Sequence, residues 1–180
     1  MELFGDPGFH VHVTMAQMWG LLAINLADSA LLPLNYTAYA VQVESYVQNI
    51  ANLLNNTRAP ASVTTAPLAA AQAQFLSAAQ RFAIEAATAP PAKLGSLNDR
   101  LVQAERSLLT LSGLTGPAEV PTRAWYRHSI FAPATHNGYS ATEFPGILDA
   151  ITWATAAPSD ERWAVVMQQV YRAAKISCRS

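Results

Sequence analysis

Apolar side chains recurring three and four residues apart, in blocks closed by prolines, constrain this chain more than any other feature. Stripes of that period are buried when helices pack on one another. The plainest runs through Leu97, Leu101, Ala104, Leu108 and Leu111, with the alternating steps of a bundle seam. The segment from Tyr36 to Leu54 places Tyr39, Val43, Tyr46, Val47, Ile50, Leu53 and Leu54 on one helical face. A third stripe, Leu68, Phe75, Ala79, Phe82 and Ala86, ends at Pro90 and Pro91. From Val13 to Leu32 the pattern differs: Met15, Met18, Trp19, Leu22, Ile24 and Leu26 leave little polar surface before Pro33. A helix apolar on all sides is expected to be packed on several sides, so this segment reads as a central helix. Ser96 and Asp99 form an S-x-x-D signal that predicts an N-terminal cap for the stripe beginning at Leu97.

Asn55 to Pro67 shows no useful period and reads as a flexible connection. After Ser112 the texture changes. Gly113, Gly116, Pro117 and Pro121 mark turns, Trp125 to Phe131 is a short aromatic run, and Pro133 to Phe144 is a polar loop with His136, Asn137, Gly138 and Tyr139. Pro145 opens a short helix to about Thr155. Ser159 opens the last helix, with Asp160 and Glu161 in its first turn and Trp163, Val166, Met167, Val170 and Ala174 on its apolar face. The expected fold is all-α: a helical bundle of about four main helices plus one or two C-terminal helices, with a short irregular or extended aromatic segment and a polar loop.

Hydrophobic residues make up 51% of the 180 positions, which suits one core. Charged residues make up only 13%, against roughly 25% in an average soluble domain, so either the surface is unusually rich in Ala, Thr, Ser and Gln or part of it is covered, a first hint of a partner. A net charge of -1 gives no basic footprint for nucleic acid or anionic lipid. The apolar run from Met18 to Ile24, bounded by Gln17 and Asn25, is too short to span a membrane, and no cleavable signal is visible. The lone Cys178 permits no internal disulfide. Sequons begin at Asn35 and Asn55, candidates for glycosylation in a secretory compartment.

His10, His12, His128 and His136 do not form a metal-ligand pattern such as H-E-x-x-H, and there is no G-x-S-x-G elbow or phosphate loop. The carboxylates are scattered, and capping or solvation accounts for most of them. Trp125, Tyr126, Arg127 and His128 read either as a ligand platform or as a packed connection whose aromatics close one end of the bundle.

Several separated motifs nevertheless stand in a familiar order: Phe4-Gly5-Asp6-Pro7, His12-Val13-Thr14-Met15-Ala16-Gln17, Leu26-Ala27-Asp28-Ser29 with Leu32-Pro33, and Asn98-Asp99-Arg100-Leu101 with Glu105-Arg106. Trp125 to Pro133, His136-Asn137-Gly138-Tyr139 and Phe144-Pro145-Gly146-Ile147 follow. From Phe4 to Ala174 the chain resembles the C-terminal part of the glutamate carboxypeptidase II and transferrin receptor family, including its fungal vacuolar-sorting relatives. This part is the transferrin receptor-like dimerisation domain.

The resemblance implies a helical homodimerisation domain following a two-zinc peptidase domain. Residues 1–12 would be the tail end of that metallopeptidase-like domain, 13–176 the dimerisation domain and 177–180 a divergent tail. His12 falls on the position of the family's last zinc ligand. The other ligands and the catalytic glutamate would lie upstream, so the isolated chain is expected to be non-catalytic and to need no cofactor. One imidazole cannot hold two zinc ions and activate water.

Two departures concern substrate binding. Val11 stands where the glutamate carboxypeptidases have a tyrosine near the reacting carbonyl, and Gly138 stands where a lysine would meet the substrate carboxylate, although Tyr139 beside it is kept. The beginning at Met1 resembles the interior of a family sequence, so the chain is expected to be a fragment. Family members face the lumen or the outside in the secretory pathway, at vacuolar or plasma membranes, with an anchor far upstream. The alternatives are the C-terminal part of an active zinc carboxypeptidase or aminopeptidase, and a non-catalytic receptor or sorting protein.

Overall fold

The computed structural model describes residues 4–115, 123–135 and 138–177. Among these residues six α-helices carry the fold: α1 (His10–Asp28), α2 (Tyr36–Asn55), α3 (Ala66–Ala87), α4 (Leu94–Ser107), α5 (Pro145–Ala156) and α6 (Asp160–Ser177). Strands β1 (Phe131–Pro133) and β2 (Ala141–Glu143) pair antiparallel between α4 and α5, with Ala132 opposite Thr142. The fold is all-α in class, as the periodicity predicts.

Helix α3 packs against both α2 and α6, and α5 packs against α6. Val43, Val47 and Ile50 of α2, Leu68 and Ala71 of α3, Ile147 and Ile151 of α5, and Trp163, Val166 and Val170 of α6 form one buried cluster. The ends of these helices follow local chemistry. Asn35 caps α2 by accepting the Ala38 N–H at 2.9 Å. Pro67 occupies the first turn of α3, and the Ser159 hydroxyl accepts the Arg162 N–H at 3.3 Å at the start of α6. Inside the packing, Gln72 is buried and donates to the Ala40 carbonyl at 3.0 Å, which fixes α3 against α2.

Helix α4 departs from its expected boundaries. A 3-10 turn at Pro91–Lys93 runs directly into Leu94, so the helix starts before Ser96, whose hydroxyl donates back to the Lys93 carbonyl instead of capping. Leu97, Leu101 and Leu108 are buried as the stripe predicts, but the helix ends at Ser107 and Leu111 faces solvent. The chain then turns at Gly113, where φ is 63° and an added Cβ would lie 1.9 Å from the Ala124 carbonyl oxygen. Only glycine fits there.

The larger correction concerns α1. It is a helix ended before Pro33, as expected, but it is not central, because every one of its residues is exposed within this chain. Val11, Val13, Met15, Met18, Leu21 and Leu22 face outward together with Trp19 and Ile24, which are 64% and 63% exposed. Its link to α2 is tied to α4 through Asn98, which accepts the Leu32 N–H at 2.9 Å and donates to the Ala30 carbonyl at 3.0 Å. An all-round apolar helix needs cover, and this chain supplies almost none of it. No helix among the described residues is long and apolar enough to cross a membrane.

Candidate functional site

The most ordered polar arrangement near α1 lies at its start. Gly8 and Phe9 both take left-handed backbone angles, with φ of 76° and 57°, so the chain folds back and brings Asp6 beneath the first turn of the helix. Asp6 is only 5% exposed and its carboxylate accepts two helix amides, Val11 N at 3.0 Å and His12 N at 2.9 Å. The same carboxylate meets His12 Nδ1 at 2.5 Å. The His12 side-chain hydrogen bond, ahead of the two backbone ones, holds the Asp6 carboxyl below its usual range despite burial. The His12 ring packs edge-on to Phe9, with centroids 5.6 Å apart, and its side chain is 53% exposed. With Nδ1 occupied, Nε2 is the atom left to take a metal.

Asp6 stands in the Phe4-Gly5-Asp6-Pro7 motif, which by itself assigns it no role. An acid before a Pro-Gly turn and six residues ahead of a candidate ligand histidine was the available signal. Val11, beside His12, is exposed on the first turn of α1.

The other predicted site residues come from a different part of the chain. Gly138 and Tyr139 lie in the connection from β1 to β2. An added Cβ at Gly138 would meet nothing within 4 Å, so a larger side chain could stand there, and Tyr139 is fully exposed. His136, Asn137 and Cys178 lie outside the described residues. Asn35 and Asn55 are both exposed, one capping α2 and the other its last residue.

His128 is committed to structure. Its Nδ1 accepts the amides of Ile130 at 3.2 Å and Phe131 at 3.0 Å, its Nε2 meets Glu105 at 3.0 Å, and its ring stacks on Phe131. Both ring nitrogens are used, so His128 belongs to the packed connection, whereas Trp125 and Arg127 face solvent. A broad apolar groove of about 700 Å³ runs between the α2–α3 connection and α6, lined by Val63, Trp163, Met167 and Tyr171. None of the predicted site residues lines it. Among the described residues, no three His, Cys, Asp or Glu side chains gather to hold a metal ion. A zinc ion could take one ligand here, the His12 imidazole, and would need the rest from elsewhere.

Residues 63–177 match the family described as the transferrin receptor-like dimerisation domain. This chain belongs to that family. The match begins at Val63, so α1 and α2 lie outside it. Relatives extend over these helices as well. A probable glutamate carboxypeptidase of Arabidopsis thaliana, LAMP1, is 34% identical over 176 residues, which is 97% of this chain and 24% of that protein. The probable glutamate carboxypeptidase VP8 of Zea mays is 33% identical, covering 93% of this chain and 23% of its own length. The mouse aminopeptidase NAALADL1 is 30% identical, covering 94% of this chain and 22% of its own length. The chain therefore spans about a quarter of the length of these relatives, and the family is the one its motif order suggests.

Proposed function

We propose that this chain is the homodimer-forming helical unit of a glutamate carboxypeptidase-like zinc peptidase and that it does not hydrolyse peptides alone. The observation that carries this reading is α1, whose apolar side chains face outward on every side while its first turn presents His12. Covering a half-exposed Leu, Ile or Val side chain gains roughly 1 kcal/mol at about 25 cal/mol per Å². A dozen or so such contacts across two copies match the cost of association, on the order of 4–15 kcal/mol, so the dimer is expected to be concentration-dependent. In the longer protein an upstream peptidase-like domain shares this cover, with residues 1–12 as its tail end, 13–176 as the dimerisation unit and 177–180 as a divergent tail.

In that setting His12 would be one ligand of a two-zinc site whose other ligands lie upstream. Zinc, when bound, polarises a carbonyl and lowers the pKa of water. This chain's own part is to hold an imidazole in place and to present the Tyr139 hydroxyl beside Gly138. Val11 offers no hydroxyl. Open space at Gly138, with no cation on it, favours an aminopeptidase over an enzyme that grips a glutamate carboxylate, which makes an aminopeptidase the second reading. Zinc content of the longer product separates either enzyme from a receptor-like protein.

Two copies of this chain carrying different tags test the dimer. Co-expressed and drawn through one tag, they are expected to yield the other tag in comparable amount. Recovery of only the tag that was pulled contradicts the proposal.

A further inference from the structure

Asp6 makes three contacts at the start of α1, and they differ in purpose. The Val11 and His12 amides are orphan donors of a first helical turn, and a carboxylate beneath them is an ordinary cap. The third contact, His12 Nδ1 to Asp6 Oδ2 at 2.5 Å, contributes nothing to the helix backbone and instead fixes a half-exposed ring. A hydrogen bond between these two atoms needs one proton. Both Asp6 oxygens already accept helix amides, so the carboxylate is the acceptor in this contact too and the ring nitrogen is the donor. The proton therefore sits on Nδ1, and in the neutral ring Nε2 is left as an unprotonated lone pair directed away from Asp6.

We infer that Asp6 is a positioning residue: it locks His12 in the Nδ1–H tautomer and in one ring orientation, so that Nε2 is presented for ligation. This inference rests on the reading of His12 as a zinc ligand and adds the residue that makes it one. The Phe9 ring, edge-on to His12, limits rotation from the other side. Gly8 and Phe9 make the arrangement possible, since their left-handed angles return Asp6 to the helix start. An added Cβ at Gly8 would come within 2.9 Å of His10 Nε2, so His10 is also held close to this turn.

The test is long-range ¹H–¹⁵N correlation of the histidine rings in the 180-residue chain and in Asp6→Asn, at alkaline pH. Asparagine keeps one oxygen for the helix amides but turns an N–H₂ toward Nδ1. The α2–α6 core, remote from Asp6, reports folding through the Trp163 indole signal. The expected result is His12 protonated on Nδ1 in the parent and mainly on Nε2 in the variant. A parent ring protonated on Nε2, or a tautomer unchanged in Asp6→Asn, overturns the inference.

Titration with Zn²⁺ then separates this inference from the reading beneath it. In the longer product, where the upstream domain brings the remaining ligands, zinc is expected to shift Nε2 of His12 in the parent, with a midpoint about tenfold higher in Asp6→Asn, as loss of an outer partner of a metal-binding histidine costs. If the tautomer behaves as expected but zinc never shifts Nε2 in the parent, the zinc-ligand reading of His12 fails while the lock by Asp6 stands.

Discussion

Arg123 donates from Nη2 to Asp149 Oδ2 across 2.6 Å, joining the segment after α4 to helix α5. The side chains are only 10% and 19% exposed. Arg123 also donates to the Pro133 carbonyl, and Asp149 accepts the Thr135 hydroxyl at 2.9 Å. The pair thus pins β1 and its neighbours against the core. Removing one partner of a buried ion pair leaves the other charge stranded, so Arg123→Ala is expected to lower unfolding free energy by about 3 kcal/mol in urea denaturation. A loss below about 1 kcal/mol would show that the pair is solvated.

A contrasting pair joins Arg100 to Glu85 at 2.7 Å, with about half of each side chain exposed. Hydrogen bonding from Arg100 holds the Glu85 carboxyl below its usual range. A carboxyl depressed in the folded state stabilises fully above its unfolded pKa, about 4.3, and loses that contribution as pH falls through the folded value. Solvent screening keeps the effect small. Glu85→Gln is therefore expected to be slightly less stable than the parent at pH 7 and equal to it near pH 2, with the difference shrinking in high salt. An unchanged difference across that range would rule out the ion pair as its cause.

Tyr39 carries a hydroxyl that is shielded from solvent and has no hydrogen-bond partner among the described residues. Its ring stacks on Phe131 and meets Phe75 edge-on, and burial pushes its ionisation well above the usual range. An unsatisfied buried hydroxyl costs stability that phenylalanine does not incur, so Tyr39→Phe is expected to stabilise the fold by about 1 kcal/mol. Destabilisation by a similar amount would mean that the hydroxyl has a partner.

How legible these features were depends on where each side chain finds its contacts. Helices α2, α3 and α6 were readable because Val43, Ile50, Leu68, Phe75, Val166 and Val170 lie on one-sided stripes, bounded by Pro33, Pro90 and Ser159. Helix α1 was placed wrongly for a physical reason: an all-round apolar pattern demands cover but does not say which chain provides it. Ser96 matched a cap signal that the turn at Pro91–Lys93 pre-empted by starting the helix earlier. The motifs around His12 and Tyr139 pointed to the family, but the Asp6–His12 contact depends on two left-handed residues that no periodicity encodes.

Because α1 is exposed along its whole length, charges there should leave the monomer fold intact. Trp19→Glu combined with Ile24→Glu is expected to change the urea midpoint of the α2–α6 core by less than about 0.5 kcal/mol in stability while weakening association at least tenfold. Loss of the core transition in this variant would mean that α1 packs within its own chain.

Sedimentation equilibrium of the unmodified chain over a micromolar concentration series tests the dimer most directly. The account predicts a mass rising from that of one chain to that of two as concentration increases. A mass that stays at one chain throughout the series contradicts it.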